Sequence, residues 1–139
     1  MNYLFDTDTC IYLMTDREPL KRERIAARME ALKPAEIVYL SSITVMELSY
    51  GANKGRWRKA NTEVLDHFVL DFVIAAFDES AARVGGVLRA ALEQKGKPIG
   101  PMDTLIAAHA LHLGVTLVTN NVREFSRVPG LQVVNWSSA

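Results

Sequence analysis

The chain has 139 residues, 16 of them basic and 16 acidic, for a formal net charge of +0. That length predicts one domain able to bury a real core, and a composition of 49% hydrophobic and 23% charged residues excludes a disordered chain. The balanced charge excludes a globally basic nucleic-acid binder, so any such surface must be a local patch. Cys10 is the single cysteine, which rules out an internal disulfide and fits a reducing compartment. Its neighbours Ile11 and Leu13 make it core filler rather than a reactive thiol. No apolar run approaches the roughly 18 residues of a membrane span. The first residues lack a basic stretch leading into an apolar one, so the expected location is the cytoplasm.

The chain opens on a short apolar run, Tyr3-Leu4-Phe5, that ends in Asp6-Thr7-Asp8-Thr9. Such a run predicts a buried parallel strand followed by a turn into a helix over Cys10 to Met14. Asp16 to Lys33 is charged but carries Ile25, Met29 and Leu32 at helical spacing, and Pro34 stops it. Ile37 to Leu40 is a second buried strand, closed by Ser41 and Ser42.

Thr44 to Ala52 predicts a helix, followed by a polar, basic linker from Asn53 to Lys59. Leu65, Phe68, Val69 and Phe72 mark an amphipathic helix, and Val73 to Phe77 a third strand. Asp78 caps a helix whose stripe is Val84, Val87, Leu88, Ala91 and Leu92. The Gly/Pro-rich stretch from Gly96 to Pro101 reads as an ordered loop. Met102 to Leu113 is apolar almost all round, as a central buried helix would be, and Gly114 ends it. Thr116 to Thr119 is the fourth strand, Asn121 to Val128 a short helix or turn, and Leu131 to Asn135 a last edge strand. Alternating strands and helices predict an α/β fold with a parallel sheet.

In such sheets, ligands bind beyond the carboxyl ends of the strands. Asp6 and Asp8 follow the first strand, Glu47 lies seven residues beyond Leu40, Asp103 opens the buried helix, and Glu124 follows the fourth strand. Each has a bland alternative. Thr44-Val45-Met46-Glu47 reads as a capping box, with Ile43 and Leu48 as its staple. Asp103 reads as a plain N-cap, and Glu124 as a solvated helix residue. Asp6 is hardest to dismiss, because an acid closing a buried strand must find donors or a cation.

Carboxylates sharing one cleft raise one another's pKa, and a hard divalent cation relieves them. All-oxygen ligands suit Mg²⁺ or Mn²⁺ rather than zinc, since Cys10 is alone and His67, His109 and His112 show no zinc-site spacing. His109 falls on the apolar stripe of Met102, Leu105 and Ile106 and reads as a core histidine; His67 reads as surface. The chain has no GxxxxGK[ST], GxGxxG or GxSxG motif. Carboxylate-held Mg²⁺ without a nucleotide loop is equipment for cutting phosphodiesters. Lys54, Arg56, Arg58 and Lys59, interleaved with Trp57, form a candidate phosphate-and-stacking patch, or alternatively a solvated helix start.

Four segments carry a family resemblance: Leu4-Phe5-Asp6-Thr7-Asp8, Ser41 through Ala52 (SSITVMELSYGA), Gly100 through Ala110 (GPMDTLIAAHA), and Val118 through Phe125 (VTNNVREF). In this order and spacing the chain resembles the PIN-domain ribonucleases, and closely the VapC toxins of bacterial type II toxin–antitoxin pairs. The resemblance implies an α/β/α sandwich around a central, mainly parallel sheet of about five strands. It implies an endoribonuclease that attacks transfer RNA, with Mg²⁺ or Mn²⁺ held chiefly by Asp6 and Asp103 and the acidic cluster completed by Glu47. It places the fourth acid at Glu124, the only acid in its region, where Asn120 and Asn121 hold the earlier slots. Asp8 stands where many relatives have Asn. Asp8, Thr119 and Asn121 are expected around the metal's ligands, with Thr119 positioning a water on the metal. A VapB-like antitoxin is the expected inhibitor, and a homodimer or toxin–antitoxin hetero-oligomer the expected assembly.

Two other readings compete. Asp6-Thr7-Asp8-Thr9 also fits the DxDx[T/V] opening of haloacid-dehalogenase-type phosphatases, but the strand at 116–119 is followed by Asn-Asn rather than an acidic pair. A degenerate PIN fold that binds RNA or a partner without cutting is the non-enzymatic alternative, and the joint presence of Asp6, Glu47, Asp103 and Glu124 argues against it.

Overall fold

A computed structural model describes residues 1–138. Five strands form one sheet: β1 (Tyr3–Phe5), β2 (Val38–Ser41), β3 (Val73–Ala75), β4 (Thr116–Val118) and β5 (Val133–Val134). Their order is β3-β2-β1-β4-β5, and every neighbouring pair is parallel. Among the described residues seven α-helices flank the sheet: α1 (Thr7–Met14), α2 (Pro19–Glu30), α3 (Ser42–Asn53), α4 (Arg58–Phe68), α5 (Glu79–Gln94), α6 (Pro101–Leu113) and α7 (Val122–Phe125). No helix among the described residues is long and apolar enough to cross a membrane.

Period-two alternation sends successive strand residues to opposite faces, and helices cover both. Leu4 and Leu117 join Leu88, Leu92, Ile106 and Phe125 in one core, on the α5–α6 side. Phe5 and Val118 join Ile25, Leu40, Leu48 and Trp136 in the other. Each fully buried large apolar side chain contributes about 1.5–3 kcal/mol of transfer free energy. Trp136, beyond β5, packs edge-on against Tyr3 and Phe5, with ring centroids 4.8 and 5.5 Å away. It carries no strand or helix signal of its own in the sequence.

The element order matches the sequence expectation, while the boundaries move where capping decides them. The first helix begins at Thr7 rather than Cys10, because Asp6 caps it by accepting from the Thr9 N–H at 2.9 Å. The charged second helix starts at Pro19, a natural first helical position, and ends at Glu30. The third starts at Ser42, capped by Ser41 through the Ile43 N–H at 3.0 Å. The capping box read at Thr44 therefore does not form. The end of the supposed linker is the first turn of α4, and Val69–Asp71 is a 3-10 turn rather than more α-helix. Asp78 caps α5 as expected, accepting from the Ala81 N–H at 2.9 Å. Pro101 opens α6, and Gly114 ends it in the left-handed conformation at φ 68°.

This topology decides where chemistry can occur. The chain leaves β1 toward β2 on one side, while β4 pairs on the other, so the crossover direction reverses between β1 and β4. The crevice at the carboxyl ends of these two strands is the topological switch point. Phe5 is in register with Val118, so Asp6 and Thr119 emerge side by side.

Candidate active site

Asp6 is the floor of this crevice. It is 4% exposed, and both carboxylate oxygens have donors: Oδ1 the Thr9 N–H at 2.9 Å, Oδ2 the Thr119 hydroxyl at 2.5 Å. Burial pushes its pKa up; the bonds from Thr119 and Thr9 act the other way, and the charge of Asp8 adds to the rise. Asp8 is exposed in the first turn of α1.

Asp103 sits at the third residue of α6, whose N-cap is Gly100 with no side-chain cap. It is therefore not the plain N-cap that the local sequence allows. Its pKa is pushed up to about 7, first by burial, then by the charge of Glu124, and further by Asp6 and Asp8. Glu124, in α7, is held in place: Oε1 accepts from the Gly100 N–H at 3.1 Å and Oε2 from the Asn121 side-chain amide at 2.5 Å. Asp103 and Glu124 thus flank Gly100, at whose position a Cβ would stand 3.6 Å from Asp103 Oδ2 and 4.0 Å from Glu124 Oε1.

Glu47 enters from α3. Its Oε1 accepts the Thr7 hydroxyl proton at 2.6 Å, and the Thr7 hydroxyl lies 3.3 Å from that of Thr44. Glu47 is a mid-helix residue anchored across to α1, not a helix cap. Thr119 is tied to the site's acids as well. Its hydroxyl proton goes to Asp6 and its oxygen accepts the Asn121 N–H at 2.9 Å, so it orients a carboxylate.

None of these acids is paired with a lysine, arginine or histidine among the described residues. Crowded carboxylates without a protein cation are a donor set that fits a hard divalent ion. Among the described residues, no three acidic, histidine or cysteine side chains converge closely enough to hold one ion together. That departs from the expected trio of Asp6, Asp103 and Glu47. It still fits Mg²⁺, which keeps several waters and takes one or two carboxylates. Cys10 offers nothing here: it is fully buried, and burial raises its thiol pKa further.

A groove of about 820 Å³ leads away from Asp8 and Glu47 along α3, past Met46, Tyr50 and Lys54 toward Val64, with Arg17 on its wall. Lys54, Arg56, Arg58 and Lys59 are all exposed. The Lys54 ammonium lies 5.3 Å from the Tyr50 ring centroid, and the Arg56 guanidinium 5.6 Å from that of Trp57. Tyr50 and Trp57 are themselves 66% and 68% exposed, so the side of each ring away from its cation is open to solvent. Among the described residues none of these four cations forms an ion pair.

Sequence reasoning missed Thr7, Thr44, Tyr50 and Gly100. Thr7 carried one signal, a hydroxyl directly after the strand-closing acid. The other three become part of the site only through contacts made across the fold.

The profile of the PIN domain matches residues 3–131. The chain is 38% identical to the "tRNA(fMet)-specific endonuclease VapC" of Salmonella typhimurium over 136 residues, 98% of both chains. It is 39% identical to the "Ribonuclease VapC2" of Haemophilus influenzae, again over 98% of both. Among solved structures, it superposes with a TM-score of 0.89 and 37% identity on a chain from the crystal structure of VapBC2 of Rickettsia felis bound to a promoter DNA fragment, covering 98% of this chain and 99% of that one. The chain belongs to the PIN-domain family, within its VapC group.

Proposed function

We propose that this chain is the toxin of a VapBC-type module: a metal-dependent endoribonuclease that cuts transfer RNA and is restrained by a VapB-like antitoxin. The observation that carries the reading is Asp6, buried at the switch point with two donors and near enough to Asp103 for its charge to act there, with no ion pair to a lysine, arginine or histidine among the described residues. The names of the Salmonella and Haemophilus relatives support ribonuclease activity, and the first of them supports a transfer RNA substrate. The Rickettsia complex supports an antitoxin partner, and with it assembly as a homodimer or toxin–antitoxin hetero-oligomer.

Asp6 and Asp103 are the residues that would hold Mg²⁺ or Mn²⁺, which supplies Lewis acidity toward a phosphate oxygen and makes water a better nucleophile. Glu124 has both oxygens engaged by Gly100 and Asn121, so it serves to orient and to set the local charge. Glu47 is anchored through Oε1, which leaves Oε2 to accept the proton of the attacking water. Water enters in line with the departing 3′-oxygen, giving a 3′-hydroxyl and a 5′-phosphate. Lys54, Arg56, Arg58 and Lys59 meet the phosphates beyond the cut, and Trp57 and Tyr50 offer stacking faces to unpaired bases.

The test is incubation of the purified, antitoxin-free chain with total transfer RNA in Mg²⁺, Mn²⁺ or EDTA, beside the Asp6→Asn variant, with fragment ends mapped. Discrete cuts leaving 5′-phosphates, lost in EDTA and in the variant, are expected. Intact RNA in every condition, or undiminished cutting by Asp6→Asn, overturns the proposal.

A further inference from the structure

His109 lies on α6, six residues past Asp103, and is 0% exposed. Its Nδ1 is 2.8 Å from the Ser41 hydroxyl oxygen, 68 residues earlier in the chain. Ser41 is fully buried too, closes β2 and caps α3, the helix that carries Glu47. One hydrogen bond thus joins the helix bearing Asp103 to the start of the helix bearing Glu47.

The chemistry of Ser41 dictates which partner donates. Its oxygen already accepts the Ile43 N–H at 3.0 Å, so its hydroxyl proton is free to go to His109. Nδ1 is then the acceptor, and the ring proton sits on Nε2. The opposite tautomer would point two N–H groups at one serine oxygen and leave both the hydroxyl proton and the Nε2 lone pair buried and unpaired. Nε2 has no hydrogen-bond partner among the described residues. Phe77 closes the pocket edge-on, its ring centroid 5.3 Å away at 87°, and its own N–H is tied to the Ser42 hydroxyl at 2.9 Å. Burial also lowers the His109 pKa, as does the charge of His112, so the ring is neutral.

We propose that His109 is a positioning residue for the cleavage reaction: as the neutral Nε2–H tautomer it accepts the Ser41 proton, fixes the start of α3 against α6, and thereby sets the helix bearing Glu47 relative to the helix bearing Asp103. An aliphatic side chain at this position fills the core but leaves α3 free to shift along α6. A small displacement of a reacting group costs far more in turnover than in substrate affinity. The proposal rests on the reading of Glu47 and Asp103 as working acids.

The experiment has a spectroscopic arm and a kinetic arm. Long-range ¹⁵N–¹H correlation on the full chain reads the tautomer directly, and the ring proton is expected on Nε2 near neutral pH. Kinetics compare His109→Leu, which fills space without accepting a proton, with His109→Asn, whose amide reaches the place of Nδ1. In His109→Leu, kcat is expected to fall about 100-fold with KM changed less than about twofold, and His109→Asn to recover to within about fivefold of the parent. Circular dichroism at the assay temperature confirms that each variant is folded. If His109→Leu does not fold, Ser41→Ala removes the same donor and carries the kinetic arm. A proton on Nδ1, or a folded His109→Leu with the parent's kcat, overturns the proposal. A parent chain that cuts no RNA refutes the functional reading instead, and the tautomer measurement still decides whether His109 accepts the Ser41 proton.

Discussion

The Thr119 hydroxyl donates to Asp6 Oδ2 at 2.5 Å, joining two residues 113 positions apart in the chain. The contact exists because β1 and β4 are parallel neighbours with Phe5 in register with Val118. Thr119 in turn accepts the Asn121 N–H, and Asn121 holds Glu124, so one hydroxyl links two of the site's acids. Thr119→Val keeps the shape and removes this donor and acceptor. RNA cleavage should fall about 10–100-fold, the usual cost of removing a partner that orients a metal-site acid. Thr119→Ser should retain most of it. Single-turnover cleavage across a Mn²⁺ titration measures both.

Asp6 has a second duty as the cap of α1, and this shapes what its replacement does. Asn caps helices about as well as Asp, so Asp6→Asn should keep the fold while losing at least about 1,000-fold in cleavage. Asp6→Ala should lose a further ~1 kcal/mol of stability along with activity. Chemical unfolding beside a cleavage assay separates the two effects.

The crowding around Asp103 predicts a pH dependence for the metal-free chain. Its pKa lies at about 7 in the fold against 3.8 ordinarily, so across that interval the folded chain binds a proton that the unfolded chain has released. Stability should therefore decline as pH rises from about 4 toward about 7 and level off above. The shift of Asp6, raised by burial, acts in the same direction. Mg²⁺ or Mn²⁺ should restore stability most strongly above about pH 7, where the Asp103 carboxylate is charged. Melting temperatures measured in EDTA and in Mn²⁺ over this range check the prediction, and a flat profile in EDTA would refute it.

The exposed basic stretch from Lys54, on the groove wall, to Lys59 predicts how RNA is held. In an Asp103→Asn background, which should bind without cutting, Lys54→Ala and Arg56→Ala should each weaken binding and reduce the salt dependence by about 0.7 in log–log slope. Trp57→Ala should cost about 1–3 kcal/mol of binding with little change in that slope, since stacking is not a counterion effect. Fluorescence anisotropy at several salt concentrations distinguishes these outcomes.

The sequence carried the strand–helix alternation, the buried helix over 102–113 and the acids themselves, because apolar periodicity and residue type are local properties. It misplaced the starts of α1 and α3 by three and two residues, Cys10 against Thr7 and Thr44 against Ser42, within the ordinary error of boundary reading. Asp6 and Ser41 sit at the last positions of apolar runs, where capping and strand pairing compete for the same residue, and tertiary contacts settled the competition. The capping box at Thr44 failed for this reason. Once Ser41 caps α3, Glu47 falls in its second turn and reaches across to Thr7 instead.

The sequence by itself determined which chemical groups are available: four acids at strand ends or helix starts, an all-oxygen donor set, and a basic stretch with an exposed tryptophan. The tertiary structure alone decided which of them meet. Strand order β3-β2-β1-β4-β5 brings residue 6 beside residue 119, and packing of α6 against α3 brings residue 109 onto residue 41. Strand order and helix packing arise from burying two apolar faces of one sheet at once. That is a property of the whole chain, which no short window of sequence contains.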